Sequence, residues 1–430
     1  MDLEDYGKKN GVRFFLISYS DLNGVNRSKL VPHSAIAGMQ ENGAGFAGFA
    51  SYLDLTPADP DLFAIPDSSS VIQLPWNKEV AWVAADLHMN GKPLAQAPRN
   101  VLKRVRERSD QKGVACKTGV ECEFMLLDPE TLEVADHSDT LGKPCYDQEA
   151  LMRRYDLISR ICTYMEELGW GPYQNDHEDG NGQFEMNWEF TECLQTADRH
   201  AFFKFMVRSL TEEAGLKATF MPKPKSTLTG NGSHVHVSLW NDKGANLFED
   251  PAGELGLSET AYHFLGGILN HASALSAITN PTVNSYRRLH GATTRSGATW
   301  APNTISYSGN NRTHMIRIPD TDRIELRSPD GSVNPYLLPA AIMAVGLDGI
   351  ESNLDAGERK ETNSYTEKDQ SLQKLPATLH ESLMNLRDSA VLRDYLGDSL
   401  VDSFCSIKML EWDEYVASVS PWETERYFGI

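Results

Sequence analysis

Three observations predict an α+β fold. Short segments alternate strictly between polar and apolar residues, the pattern of strands with one wet face. The polar positions of those strands hold Glu, His and Arg. Longer segments between them carry the apolar period of helices. Parallel α/β sheets are apolar on both faces. Antiparallel strands lining a polar cavity, with helices over the other face, are therefore expected.

The elements read in order as follows. Residues 12–19, VRFFLISY, form a strand, Asp21–Gly24 a turn, and a second short strand stops at Pro32. Residues 44–66, rich in Gly, Ala, Asp and Pro, are expected to hold little regular structure. Strand-like runs follow in 70–87, and Pro93 and Pro98 then break the chain. A domain boundary is placed here, with a small β-rich domain over 1–97 and a larger domain over 98–430. The larger domain is predicted to contain helices at 99–111, 147–168, 198–214, 260–278 and 337–355. Asp147 and Asp198 lie at helix starts and Gly169 at a stop. Strands are predicted at 119–128, 184–190, 233–240, 315–318 and 323–327, and a mostly helical tail over 376–430.

Composition narrows the function. Sixty acidic against forty basic residues give a formal charge of −20. That balance disfavours nucleic acid and anionic membranes as partners, since both require clustered cations. The six cysteines form no close CxxC pair and read as reduced thiols. The first residues are polar and acidic, unlike a signal peptide, and no apolar run approaches membrane-spanning length. A cytoplasmic protein is expected.

Seven metal-competent side chains carry the chemistry. Glu121 and Glu123 lie in GVECEF, Glu178 and Glu185 bracket HEDGNGQFE, His234 and His236 lie in GNGSHVHVS, and Glu325 lies in RIELR. Side chains at i and i+2 of a strand share a face. Glu121 and Glu123 then face one way and Cys122 and Phe124 the core. His234 and His236 oppose Val235 and Val237, Glu325 joins Arg323 and Arg327, and Glu185 joins Asn187. One pair alone reads as a solvated strand face. Together they suit two or three Mg²⁺ or Mn²⁺ ions on a nucleotide phosphate chain. Arg287, Arg288, Arg312, Arg317, Arg323 and Arg327 add a cluster suited to a phosphoryl group in transfer and to a carboxylate. No GxxxxGK[ST] loop, GxGxxG turn or HExxH helix is present.

These residues stand in motifs that resemble the glutamine synthetases, ATP-dependent carboxylate–amine ligases. The resemblance runs in order through DLNGVNRSKLVP, GVECEF, HE…GQFE, FMPKP, GNGSHVHVS, NPTVNSYRRL, NNR…MIRIP and RIELRSPD. It implies a β-grasp-like N-terminal domain, a catalytic domain built as a split funnel, and a homo-oligomer of stacked hexameric rings with sites between subunits. It implies Glu123, Glu178 and Glu185 on the metal nearest the substrate carboxylate, and Glu121, His234 and Glu325 on the metal nearest the nucleotide. Arg288 and Gly230 then hold L-glutamate, with Arg312 and Arg327 beside it. Arg312, Arg317 and Arg327 face the phosphate, while His236, Arg323 and Glu178 border ATP. The terminal WETERYFGI resembles the helical tail that docks into the facing ring.

Two departures bear on the amine. Ala47, in GFAGFASY, falls where ammonia-using relatives carry an ammonium-binding aspartate. Residues 289–311, the flap after Arg288, contain no Asp or Glu and bring in Trp300 and Tyr307. A less acidic, roomier pocket suits an alkylammonium, and a methylene-sized contact discriminates by about 1–3 kcal/mol. The expected activity is ligation of glutamate with methylamine or another small alkylamine through a γ-glutamyl phosphate. Ammonium, and polyamines or larger amines, are the alternatives. Asp54, Asp59 and Asp61 are proton-acceptor candidates by sequence proximity alone. No NLYDLP-like segment precedes Pro376, so nucleotidylation of a tyrosine is not expected.

Overall fold

The computed structural model describes residues 1–367 and 369–430. Its central feature is the strand Val114–Leu127, the spine of a nine-stranded sheet. On one side it pairs with Ser233–Asn241, then Ile324–Leu326, Ile316–Arg317 and Tyr307–Ser308. On the other it pairs with Gln183–Trp188 and then Pro172–His177. All pairs along this path are antiparallel except the outermost, Tyr307–Ser308 with Ile316–Arg317.

The strand period explains why this sheet has two unlike faces. Cys122 and Phe124 are fully buried on the reverse side. There Phe124 meets Phe203, from the helix Cys193–Glu213, and Phe220 at centroid distances of 6.4 and 5.8 Å. Burying a side chain of this size contributes about 1.5–3 kcal/mol. The alternate positions, Glu121 and Glu123, are thereby turned to the front. Val235 and Val237 are buried in the same way, which brings His234 and His236 to the front of the neighbouring strand.

A second, smaller sheet carries strands between Phe14 and Pro93. Here Phe14–Ser20 pairs antiparallel with Asn26–Pro32 but parallel with Val80–Met89, an exception to the antiparallel expectation. The helix Pro98–Asp110 joins the two sheets through Arg99. That side chain, 3% exposed, reaches Asp67 at 2.9 Å and Asp86 at 2.6 Å on one side and Asp198 at 2.9 Å on the other.

Several elements differ from the sequence reading. Residues 44–66 contain two strands, Ala44–Phe46 and Leu62–Pro66, paired with each other. Their ordering comes from the edge offered by Val80–Met89, which no local pattern reveals. The predicted helix 147–168 is two helices, broken at Arg154 (φ −112°, ψ 13°). The predicted helix 260–278 is likewise broken at His271 (φ −100°, ψ 11°). The predicted helix 198–214 starts five residues early, because Glu192 caps it by accepting from the Leu194 and Gln195 amides. Asp198, read as lying at the helix start, instead binds Arg99. The strand Pro172–His177 was not predicted. All six cysteines are free. Among the described residues, no helix is long and apolar enough to cross a membrane.

Candidate active site

Strand register assembles the site. His234 lies directly opposite Glu121, and Glu185 directly opposite Glu123. Glu325 lies between His236 on one strand and Arg317 on the other. The outer strand places Asp176 opposite Glu185. Directly opposed residues have side chains about 5 Å apart at Cβ, so six strands deliver one continuous patch of carboxylate, imidazole and guanidinium.

The side chains close onto each other accordingly. His234 Nδ1 lies 3.1 Å from Glu121 Oε2, 3.7 Å from Glu325 Oε1 and 3.9 Å from Glu123 Oε1. Three sets of ligand atoms are mutually close enough to hold an ion: Glu121, His234 and Glu325; Glu123, Glu185 and His234; and Asp176, Glu178 and Glu185. The first set is the expected nucleotide-side group. The other expected group, Glu123, Glu178 and Glu185, is divided between the remaining two sets, and Asp176 enters as a residue that sequence reasoning missed.

Supporting contacts fix most of these groups. Glu123 Oε2 accepts from Gln183 Nε2 at 2.9 Å and from the Gly232 amide at 2.7 Å. Asn187 Nδ2 donates to Glu185 Oε1 at 2.8 Å. His236 Nε2 donates to Glu121 Oε1 at 2.8 Å, while its Nδ1 accepts from Arg323 Nε at 3.1 Å. Arg317 and Arg327 both bond Glu325, the latter at 2.6 Å. Asp176 Oδ1 is the exception, being buried with no partner among the described residues.

Crowded carboxylates shift one another. Burial, then the neighbouring carboxylates, raise Glu178 and Glu185 well above the ordinary range. The same causes push Asp176 up to about 6. For Glu121 burial acts upward as well, but hydrogen bonds from His234 and His236 outweigh it and hold the group low. A hard, oxygen-rich donor set with one imidazole, strained by its own negative charge, fits divalent Mg²⁺ or Mn²⁺. Without a cation, Asp176 in the folded chain keeps a proton between about pH 4 and 6 that the unfolded chain releases. Metal-free stability therefore falls as pH rises through that window, and an ion bound only by the folded, ionised site restores it. Removing Mg²⁺ with EDTA should lower Tm more at pH 8 than at pH 5. Equal losses in scanning fluorimetry would contradict this electrostatic account.

The predicted arginines divide by position. Arg288 is 3% exposed, donates to the Ser328 carbonyl at 2.9 Å and lies against Gly232. At Gly230 a β-carbon would run into the Pro222 carbonyl, and at Gly232 it would come within 2.8–2.9 Å of Glu123, His234 and Arg288. Only glycine lets this loop lie so close to the site. Arg312, Arg317 and Arg327 line a cavity of about 290 Å³ with the metal-competent group. Arg323 lies further out, bonded to Asp320 at 2.6 Å. It borders an adjoining cavity of about 470 Å³ together with Arg312, Arg317 and His236. There Phe190 and Trp240 stack at 6.3 Å, an aromatic wall that the sequence reading did not identify.

The amine-related expectations fare unevenly. Trp300 lines the 290 Å³ cavity, with its indole N–H buried and unpartnered among the described residues. Tyr307 does not line it; its hydroxyl donates to the Gly357 carbonyl at 3.0 Å. Ala47, Asp54, Asp59 and Asp61 do not line it within one chain. Asp54 accepts from Ser406, and Asp59 from Thr56. Cys145 and Tyr146 complete the wall beside Asp176 and Glu178.

A sheet presenting carboxylates, imidazole and arginines to adjoining cavities defines a site able to hold divalent ions and a phosphate chain. The sequence profile described as "Glutamine synthetase, catalytic domain" matches residues 95–427. The chain belongs to the glutamine synthetase family. It is 55% identical over 433 residues to a glutamine synthetase of Rhizobium meliloti (strain 1021), covering 100% of both chains. It is 42% identical to the glutamate–methylamine ligase of Methyloversatilis universalis, covering 99% of this chain and 98% of that one. A solved structure described as a GmaS/ADP complex superposes with a TM-score of 0.97 at 56% identity, covering 100% of both chains.

Proposed function

We propose that this protein joins L-glutamate to methylamine, or to another small alkylamine, at the expense of ATP. The observation that carries the amine assignment is the make-up of the chamber wall. Asp176 offers an unpartnered, buried carboxylate oxygen. Around it stand Cys145, Tyr146, Tyr173 and Trp300. The flap that bears Trp300 brings no acid of its own. Glu178 and Glu185 lie close on its other side, where the ions would neutralise them, which leaves Asp176 beside aromatic and thiol surface as the acceptor for an ammonium head with a carbon attached. The named relatives include a glutamine synthetase and a glutamate–methylamine ligase, and this wall supports the second reading.

The chemistry follows from the groups present. A carboxylate is a poor acylating agent, because its leaving group would be oxide. An oxygen of the glutamate γ-carboxylate attacks the γ-phosphorus of ATP, ADP departs, and γ-glutamyl phosphate results. Bound divalent ions would neutralise the phosphate charge and align the two reactants. In this reading Glu121, His234 and Glu325 hold the nucleotide-side ion, and Glu123, Glu178 and Glu185 the substrate-side ion. Arg312, Arg317 and Arg327 face the charge that spreads over the moving phosphoryl group. Arg288 and the Gly230 loop clamp glutamate. His236, Arg323 and the Phe190–Trp240 wall border the nucleotide. The amine then attacks the acyl carbon and phosphate leaves. We also propose that residues 1–97 form a separate domain that completes a neighbouring subunit's site in a ring-shaped oligomer.

The test is phosphate release from ATP and glutamate with Mg²⁺ or Mn²⁺, comparing ammonium, methylamine, ethylamine and putrescine. The expected result is the highest kcat/KM for methylamine or ethylamine. A higher value for ammonium would overturn the assignment and favour the glutamine synthetase reading, which the Rhizobium relative supports.

A further inference from the structure

Residues 362–364 form a strap pinned to the turn that bears Arg312. The Thr362 carbonyl accepts from Asn311 Nδ2 at 3.0 Å and from His314 Nε2 at 2.9 Å. The Ser364 amide donates to Thr313 Oγ1 at 3.2 Å, and the Ser364 hydroxyl bonds the Thr313 carbonyl. Four contacts to Thr362 and Ser364 fix where residue 365 emerges.

Tyr365 follows at once and turns inward. Its hydroxyl is buried, and among the described residues no acceptor meets its proton. The oxygen lies near the Thr299 side chain and the Trp300 backbone amide of the flap, both acting as donors toward it, and within electrostatic reach of Arg327 and Arg288. Burial raises the phenol above its ordinary range, with Arg327 opposing, so the group is a donor at neutral pH. A buried O–H proton without an acceptor is costly. The position is explained if the partner arrives with the substrate.

We propose that Tyr365 contacts glutamate directly, donating a hydrogen bond to a carboxylate oxygen seated between Arg288 and Arg327. Tyr365 lines a cavity of about 400 Å³ with Thr299, and Trp300 lines the 290 Å³ cavity, so flap and strap would close the chamber between them once glutamate is bound. This rests on Arg288 being the glutamate clamp and is independent of which amine reacts.

The experiment is Tyr365→Phe in the full-length assembly, with glutamate and ATP titrated separately using the best amine. The substitution removes only the hydroxyl. A hydrogen bond to a charged group makes a difference of roughly ten-fold or more. The KM for glutamate should rise about ten-fold, with the KM for ATP unchanged and Tm unchanged or higher. An unaltered glutamate KM would overturn the proposal. So would equal rises in both KM values with a lowered Tm, the mark of a structural role. Arg288→Lys, measured alongside, keeps the two readings apart. If it leaves the glutamate KM untouched, the clamp assignment itself fails, whatever Tyr365→Phe does.

Discussion

Replacing Glu325 by Ala should lower ATP-dependent turnover by roughly 10³-fold or more. Glu325 is 0% exposed and lies at the junction of two systems. One is the group Glu121, His234 and Glu325, set to hold an ion on the nucleotide side. The other is the arginine pair Arg317 and Arg327, both bonded to this carboxylate. Removing it deprives the ion of a charged ligand and frees both guanidinium groups from their orientation. Breaking a buried ion pair by deleting one partner costs about 3–5 kcal/mol of stability, so the Ala variant should also melt earlier. Glu325→Gln separates the effects, since the amide oxygen still accepts from Arg327 but carries no charge. Its Tm should fall less than that of the Ala variant while turnover remains low. Full turnover in the folded Gln variant, measured as phosphate release, would remove Glu325 from the ion site.

The second large effect is expected at Asp176, and mainly on the amine, since the substrate-side ion is assigned to Glu123, Glu178 and Glu185. Asp176→Ala removes the unpartnered carboxylate oxygen from the chamber wall. Losing a charged acceptor for a buried ammonium group costs a factor of roughly 10². The KM for methylamine should rise by about that factor, while the KM values for ATP and glutamate change little. Because burial, then Glu123 and Glu121, disfavour the charged form of Asp176, the metal-free variant should be more stable than the parent at pH 8. A methylamine KM unchanged in initial-rate kinetics would show that the amine binds elsewhere.

The contrast between these residues explains what could be read in the chain. Glu121 with Glu123, and His234 with His236, stand out because apolar neighbours turn every second residue to the core. Their strands then align through register, which local sequence does not encode but motif order implies. Asp176 carries no such signal. Its strand, PYQNDH, is polar and half-exposed, so alternation is absent and only pairing with Gln183–Trp188 orders it. The strap that delivers Tyr365 is silent for the same reason, being held by side-chain and carbonyl contacts from 311–314. Glu192 hid the true start of its helix because Glu is not a usual N-cap. The helix breaks at Arg154 and His271 follow no Gly or Pro. Tertiary packing imposes them on sequences with ordinary helical period. Ala47 stands out by resemblance as a replaced acid, and within one chain it lies off the cavity.

The most direct test of the amine assignment is a competition in one vessel. The assembly receives ATP, glutamate, Mg²⁺ and equal concentrations of ammonium and methylamine, and the two amides are counted by mass. Their ratio reports the ratio of kcat/KM values directly. An excess of γ-glutamylmethylamide is the predicted result. An excess of glutamine would contradict it and make the wall around Asp176 a rebuilt ammonium site.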